Sequence, residues 1–148
     1  MGIILATFLI LAFVGAVVPL VTGRGGATTA EVNGQFPSQI TAGQTVGVPL
    51  AIDNTGDQPI GPFCVRITID PPVTITATTL TFQGLDTVQV RDGQACGGSL
   101  GGGQVISATL LLRGSATGSA RVTTAPLLQG REVGPERSSI VAVVQPGG

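Results

Sequence analysis

A series of short β-type runs between Thr28 and the C terminus constrains the fold more than any other feature of the sequence. β-branched residues are common in these runs, turn residues separate them, and no extended 3.6-residue periodicity interrupts the series. The predicted strands are Thr29–Phe36, Thr45–Asp53, Phe63–Ile69, Val73–Phe82, Thr87–Arg91, Gln104–Arg113, Ala120–Ala125 and Ser138–Val144. Strands of this length and spacing are typical of an antiparallel β-sandwich.

Alternation of side chains along four of these strands predicts which face points into the core. The predicted core positions are Val46, Val48, Leu50 and Ile52; Phe63, Val65, Ile67 and Ile69; Ile106, Ala108, Leu110 and Leu112; and Ile140, Ala142 and Val144. Asp53-Asn54-Thr55-Gly56-Asp57 is a strong turn signal between the first two of these strands. The phrase from Gly43-Gln44-Thr45-Val46 to this turn resembles extracellular immunoglobulin-like modules. That resemblance implies a mainly β, immunoglobulin-like sandwich and says nothing about a ligand.

The chain has two cysteines, Cys64 and Cys96. An even number of cysteines suits a disulfide in an exported protein, and two buried free thiols are the alternative. Cys64 has the opposite parity to the core positions of its strand. We therefore expect it to meet Cys96 at the edge of the sandwich and to hold the glycine-rich loop that follows. In the chain-entropy model such a closure stabilises the fold by roughly 3 to 4 kcal/mol.

Composition excludes several classes of function. The chain has no His, Trp, Tyr or Lys, so it lacks imidazole-activated nucleophiles, Schiff-base chemistry and a P-loop lysine. Five Phe residues are its whole aromatic content, which leaves no aromatic platform for a sugar. The net charge is −1, without a basic run that could follow a phosphate backbone. We expect no enzyme activity, no cofactor, no small-molecule substrate and no nucleic-acid partner.

Two segments need their own interpretation as possible ligand sites. Asp53 and Asp57 could hold Ca²⁺, but Asp and Asn also stabilise turns without a metal, so no metal site is predicted. Residues 96–103 are rich in glycine but lack the lysine and the following helix of a phosphate-binding loop. They are predicted to be a flexible connection that could approach a neighbouring backbone closely.

The first 26 residues form a second region, ahead of a predicted sandwich at residues 27–148. Residues 2–23 carry no charge, and residues 3–21 are apolar except for Thr7 and Pro19. About twenty such residues would span a bilayer as a helix roughly 30 Å long. Three interpretations stay open: a signal peptide cleaved near Val21-Thr22-Gly23, a single-span membrane anchor, or a helix that packs into an assembly.

The run from Gly2 to Val18 resembles the start of archaellins and related archaeal-type IV pilins, which also begin near Gly-Ile and continue through Thr and bulky aliphatic residues. The resemblance implies a subunit that is inserted in the cytoplasmic membrane and then polymerises with copies of itself into an extracellular filament. The expected assembly-helix positions are Ile3, Leu5, Ala6, Phe8, Leu9, Leu11, Ala12, Val14, Gly15, Ala16 and Pro19, followed by a hinge at Gly23, Gly25 and Gly26. A membrane-anchored accessory subunit with an extracytoplasmic sandwich, and a secreted binding module, are the alternative functions.

Overall fold

A computed structural model describes residues 29–83 and 87–147, and these residues form eleven β-strands. The strands are β1 (Ala30–Gly34), β2 (Gln39–Thr41), β3 (Thr45–Asn54), β4 (Phe63–Asp70), β5 (Ile75–Phe82), β6 (Thr87–Gln89), β7 (Gln94–Gly97), β8 (Val105–Gly114), β9 (Gly118–Leu128), β10 (Arg131–Glu132) and β11 (Arg137–Val144). All eight strands predicted from the sequence are present. The short strands β2, β7 and β10 were not predicted.

The strands form two sheets that pack face to face as a β-sandwich. One sheet has the order β1-β3-β8-β5-β6, and the other has the order β2-β11-β9-β4-β7, with β10 paired to β9. Neighbouring strands are antiparallel except β2 and β11, which are parallel. The predicted mainly β sandwich is confirmed. Residues 29–83 and 87–147 contain no helix long and apolar enough to cross a membrane.

The core lies between the two sheets and is built from alternate residues of the long strands. Phe63 of β4 and Phe82 of β5 are both buried, and their rings meet edge to face with centroids 5.7 Å apart. Nine of the predicted core positions are buried: Val48, Leu50, Ile52, Phe63, Val65, Ile67, Ala108, Leu110 and Leu112. Val46, Ile69 and Ile106 pack at the margin of this core and are partly buried.

The predicted inner face of β11 is wrong. Ile140 is 56% exposed, whereas Val141 and Val143 are 0% and 3% exposed. Residues 140–144 are all apolar, so alternation alone could not distinguish the two faces of this strand. Pairing with β9 decides the matter, because it places Val141 opposite the buried Ala120.

The described chain enters and leaves the sandwich at opposite ends. Ala30 pairs with Asn54 at one end, where β3 finishes. Val144 pairs with Thr41 at the other end, close to where β3 begins. Between β1 and β2 the chain crosses from one sheet to the other, so its first two strands lie at the edges of different sheets.

Candidate functional site

The disulfide lies at one edge of the sandwich, as the sequence predicts. Cys64 of β4 and Cys96 of β7 are directly opposite in the antiparallel register, with Cα atoms 3.9 Å apart, and their sulfur atoms are bonded. Cys96 is exposed and Cys64 is partly buried, on the outer face of the sheet. The bond therefore ties the four-residue edge strand β7 to its longer neighbour.

The glycine-rich loop after Cys96 is fixed by backbone contacts, which corrects the prediction of a flexible connection. Ile60 and Leu100 exchange two backbone hydrogen bonds of 2.8 Å each, and both side chains are buried. A Cβ atom added at Gly102 would lie only 2.6 Å from the carbonyl oxygen of Asp57. This close backbone approach joins two loops of the same chain, and contact with a neighbouring molecule stays a prediction.

Asn54 connects these two loops, and its role was not predicted from the sequence. Its side chain is 0% exposed and follows the core positions of β3 on the same face. The Nδ2 group donates to the carbonyls of Gln58 (2.8 Å), Leu100 (3.2 Å) and Gly101 (3.0 Å), and Oδ1 accepts from the Gly56 N–H at 3.0 Å. The sequence did contain a signal for this role. Positions 48, 50, 52 and 54 all point inward by alternation, which places the Asn54 amide in the core.

The residue before β1 is attached to this same end of the sandwich. Thr55 donates its backbone N–H to the Thr29 carbonyl at 3.0 Å, and the two threonine hydroxyl oxygens are 2.7 Å apart. The chain that precedes Thr29 therefore joins the sandwich beside the loops held by Asn54. The assembly-helix positions between residues 3 and 19, and the hinge glycines 23, 25 and 26, lie outside the described residues.

Charged side chains meet on the outer face of the six-stranded sheet and at its edge. Arg66 of β4 donates from Nη2 to the carboxylates of Glu132 and Glu136. The hydrogen bond from Arg66, with its positive charge, lowers the pKa of Glu132 below its usual value, although some desolvation acts in the opposite direction. Arg137 of β11 pairs with Glu31 of β1 at 3.1 Å and so connects the two sheets. Exposed pairs of this kind contribute little to the stability of a fold, because water screens the charges.

Asp53 and Asp57, the pair considered for Ca²⁺, flank the Asn54 turn. In the part of the chain that the structure describes, no group of three or more His, Cys, Asp or Glu side chains could hold a metal ion. The turn is organised by the Asn54 amide instead.

Comparison with known proteins identifies the fold. The sequence matches no protein-family model and no curated protein. Solved structures similar to it include a CARDB domain from Pyrococcus furiosus (16% identity, 82% of this chain and 98% of that one, TM-score 0.51). A cohesin module of a Clostridium perfringens family 33 glycoside hydrolase is also similar (11% identity, 80% and 99%, TM-score 0.54). AvmM, which catalyses macrocyclization in alchivemycin A biosynthesis, is a third (13% identity, 81% and 90%, TM-score 0.57). At such low identity these likenesses establish a shared β-sandwich fold alone.

These comparisons correct the assignment to the archaellin and archaeal-type IV pilin family. Similar solved structures include CARDB and cohesin domains, and no archaellin or pilin is among the structures named above. The assignment is wrong, and the filament-subunit function that depends on it is not supported. Apolar segments of similar composition occur in many unrelated proteins, so the resemblance of residues 2–18 did not distinguish one family.

Proposed function

We propose that this chain is an extracytoplasmic β-sandwich module with a binding or accessory role and without enzyme activity. The Cys64–Cys96 disulfide carries the proposal, because such bonds form and persist in oxidising compartments and are rare in the cytosol. The disulfide lies on an exposed strand edge, where cytosolic reductants would reach and reduce it. A bond at this position is therefore expected in an oxidising compartment.

Composition, together with two of the similar structures, supports a binding or accessory role. CARDB and cohesin modules share the sandwich, and so does the enzyme AvmM, so the fold by itself does not decide the chemistry. Composition supports the distinction, since this chain lacks the His and Lys residues on which most acid–base and nucleophilic sites depend. The strand order β1-β3-β8-β5 facing β4-β9-β11 also supports our proposal that the sandwich is immunoglobulin-like, because constant-type domains pair a four-stranded sheet with a three-stranded one in this order.

The apolar stretch at residues 3–21 gives two routes across the membrane. If it is retained, it holds the sandwich at the membrane surface as an accessory subunit; if it is cleaved near Gly23, it releases a secreted module. Cell fractionation separates these routes. An anchored chain sediments with membranes, and a secreted chain appears in the medium with an N terminus near Arg24.

Cysteine labelling in intact cells tests the compartment. A membrane-impermeant maleimide should label wild-type chain only after treatment with a reductant, because both thiols are bonded to each other. The matched variant Cys64→Ser leaves Cys96 as a free thiol, and we expect it to be labelled in intact cells without reductant. If Cys64→Ser reacts only after cell lysis, or if the wild-type thiols react without reductant, the extracytoplasmic assignment is wrong.

A further inference from the structure

Part of the edge of β11 has no neighbouring strand. β9 pairs with β11 from Arg137 to Val143, whereas on the other side β2 covers only Ala142–Val144. On that second side Ala142 donates its N–H to the Ser38 carbonyl at 2.9 Å. Alternate residues of a strand direct their N–H and C=O groups to the same side, so Ser138 and Ile140 direct theirs toward the uncovered edge. Within residues 29–83 and 87–147 no backbone hydrogen bond satisfies them there.

A polar cleft of about 320 Å³ adjoins this open edge. It lies between the edges of the two sheets, where the chain crosses from β1 to β2. Asn33 and Phe36 line it from the β1 side, Arg137 and Ser139 line it from β11, and Thr124 of β9 contributes as well. Ser139 has the same parity as the buried Val141, so a side chain opposite Ser139 on an added strand would point between the sheets.

Several polar groups around the cleft lack partners. Thr124 is 1% exposed, and its hydroxyl has no hydrogen-bond partner among the described residues. The exposed Asn33 amide and the partly buried Ser139 hydroxyl also make no hydrogen bond to the described residues, so both can bond to a ligand that replaces water. A buried hydroxyl without a partner is destabilising and uncommon in native proteins, so a ligand that offers neutral donors and acceptors fits this cleft.

We propose that an extended peptide segment of a partner protein binds here, adding to β11 beside Ser138 and Ile140 and directing a small polar side chain into the cleft. The same edge already accepts one strand, since β2 pairs in parallel at Ala142–Val144. Peptide backbone supplies donors and acceptors in the spacing that the edge presents. The neighbouring charges are paired within the chain, Arg137 with Glu31 and Arg66 with Glu136, so the site does not select a strongly charged ligand.

This proposal deepens the binding role proposed above and rests on it, but it is tested on purified full chain in detergent micelles. The first test uses two proline variants. Ser138→Pro removes an N–H that faces the open edge and the hydroxyl that is 2.8 Å from the Thr123 hydroxyl of β9, but it leaves the backbone pairing with β9 intact, whereas Ser139→Pro removes an N–H that faces β9. Ser138→Ala controls for the lost hydroxyl, and we expect Ser138→Pro to unfold at the same urea concentration as Ser138→Ala and Ser139→Pro to unfold earlier. Equal destabilisation by the two variants would overturn the open edge and the proposal with it.

The second test selects ligands from a random heptapeptide library displayed on phage. Selected peptides should alternate β-branched and small polar residues. Their affinity should fall about tenfold or more with Ser138→Pro and with Asn33→Leu, because each removes hydrogen bonds from the bound strand. The matched control Gln89→Pro changes an outward N–H on β6, at the edge of the other sheet, and should bind as wild type does.

Amide hydrogen exchange then locates the peptide. At saturating peptide, exchange at Ser138 and Ile140 should slow at least tenfold, while exchange at Val141, already paired with β9, should not change. A library that yields no binder, or binders insensitive to Ser138→Pro, would overturn the proposal. A dimer of the full chain that Ser138→Pro abolishes, without peptide binding, would replace the partner peptide with a second copy. Any of these failures would leave the cysteine-labelling result, and so the assigned compartment, unaffected.

Discussion

Replacing Asn54 should disconnect the two loops at one end of the sandwich and should lower the free energy of unfolding substantially. Asn54→Ala removes four hydrogen-bond contacts, of which the one to the Leu100 carbonyl is buried and the others are partly buried; the three carbonyls share the two Nδ2 hydrogens. At about 0.5–1.5 kcal/mol for each bond, and with water replacing some of the lost partners, we expect a loss of about 3 kcal/mol in the free energy of unfolding. The matched control Thr55→Ala affects only an exposed hydroxyl pair and should change stability by less than about 0.5 kcal/mol.

Urea unfolding followed by circular dichroism measures this difference. With a slope of about 1.5 kcal/mol per molar urea, the Asn54→Ala midpoint should lie roughly 2 M below that of wild type. Asn54→Asp adds a second measurement, since it keeps the acceptor for Gly56 but faces three carbonyls with a carboxylate. Burial raises the pKa of that carboxyl above its value in the unfolded chain, so its destabilisation should grow as pH rises above the unfolded pKa. An Asn54→Ala midpoint close to that of Thr55→Ala would refute this account of the loop end.

Three further predictions concern the disulfide, the ion pair between Arg66 and Glu132, and the two faces of β11. Replacing both Cys64 and Cys96 with Ser should lower the free energy of unfolding by roughly 3 to 4 kcal/mol under oxidising conditions, and the difference should vanish when wild type is reduced. Because Arg66 lowers the folded-state pKa of Glu132, that carboxylate stabilises the fold above its unfolded pKa and this contribution is lost as pH falls through the folded pKa. Between pH 6 and pH 3 the free energy of unfolding should therefore fall more for wild type than for Arg66→Met. Urea titrations at each pH measure this, and the control Arg113→Met should behave as wild type does. Val141→Asp should prevent folding, whereas Ile140→Asp should give a folded protein by circular dichroism; equal behaviour would mean that the faces of β11 are misassigned.

The sequence predicted the parts of the fold in which local alternation and packing agree. β3, β4 and β8 each carry four successive apolar residues on one face, whereas the other face includes polar residues at several positions, so their inner positions were predictable. In β11 both faces are apolar, and the orientation depends on pairing with β9, which sequence alone does not reveal. β2 and β7 have three and four residues, and each exists because a longer neighbour offers an edge.

The candidate site was predictable to a smaller extent. The parity of Cys64 correctly indicated a disulfide at the edge of the sheet. The carboxylates of the Asp53–Asp57 turn attracted the metal hypothesis, although the neutral Asn54 between them makes the contacts that organise it. The open edge of β11 could not be foreseen, because it depends on where β2 stops beside a strand that is distant in sequence.

The separation of the two chain ends gives the sandwich the properties of a spacer. Ten residues of β3 reach from the exit side to the entry side, and at about 3.3 Å for each residue this distance is roughly 33 Å. Groups attached at Thr29 and at Val144 are therefore held about that far apart. Energy transfer between a pair of fluorophores placed at these two points would measure this distance.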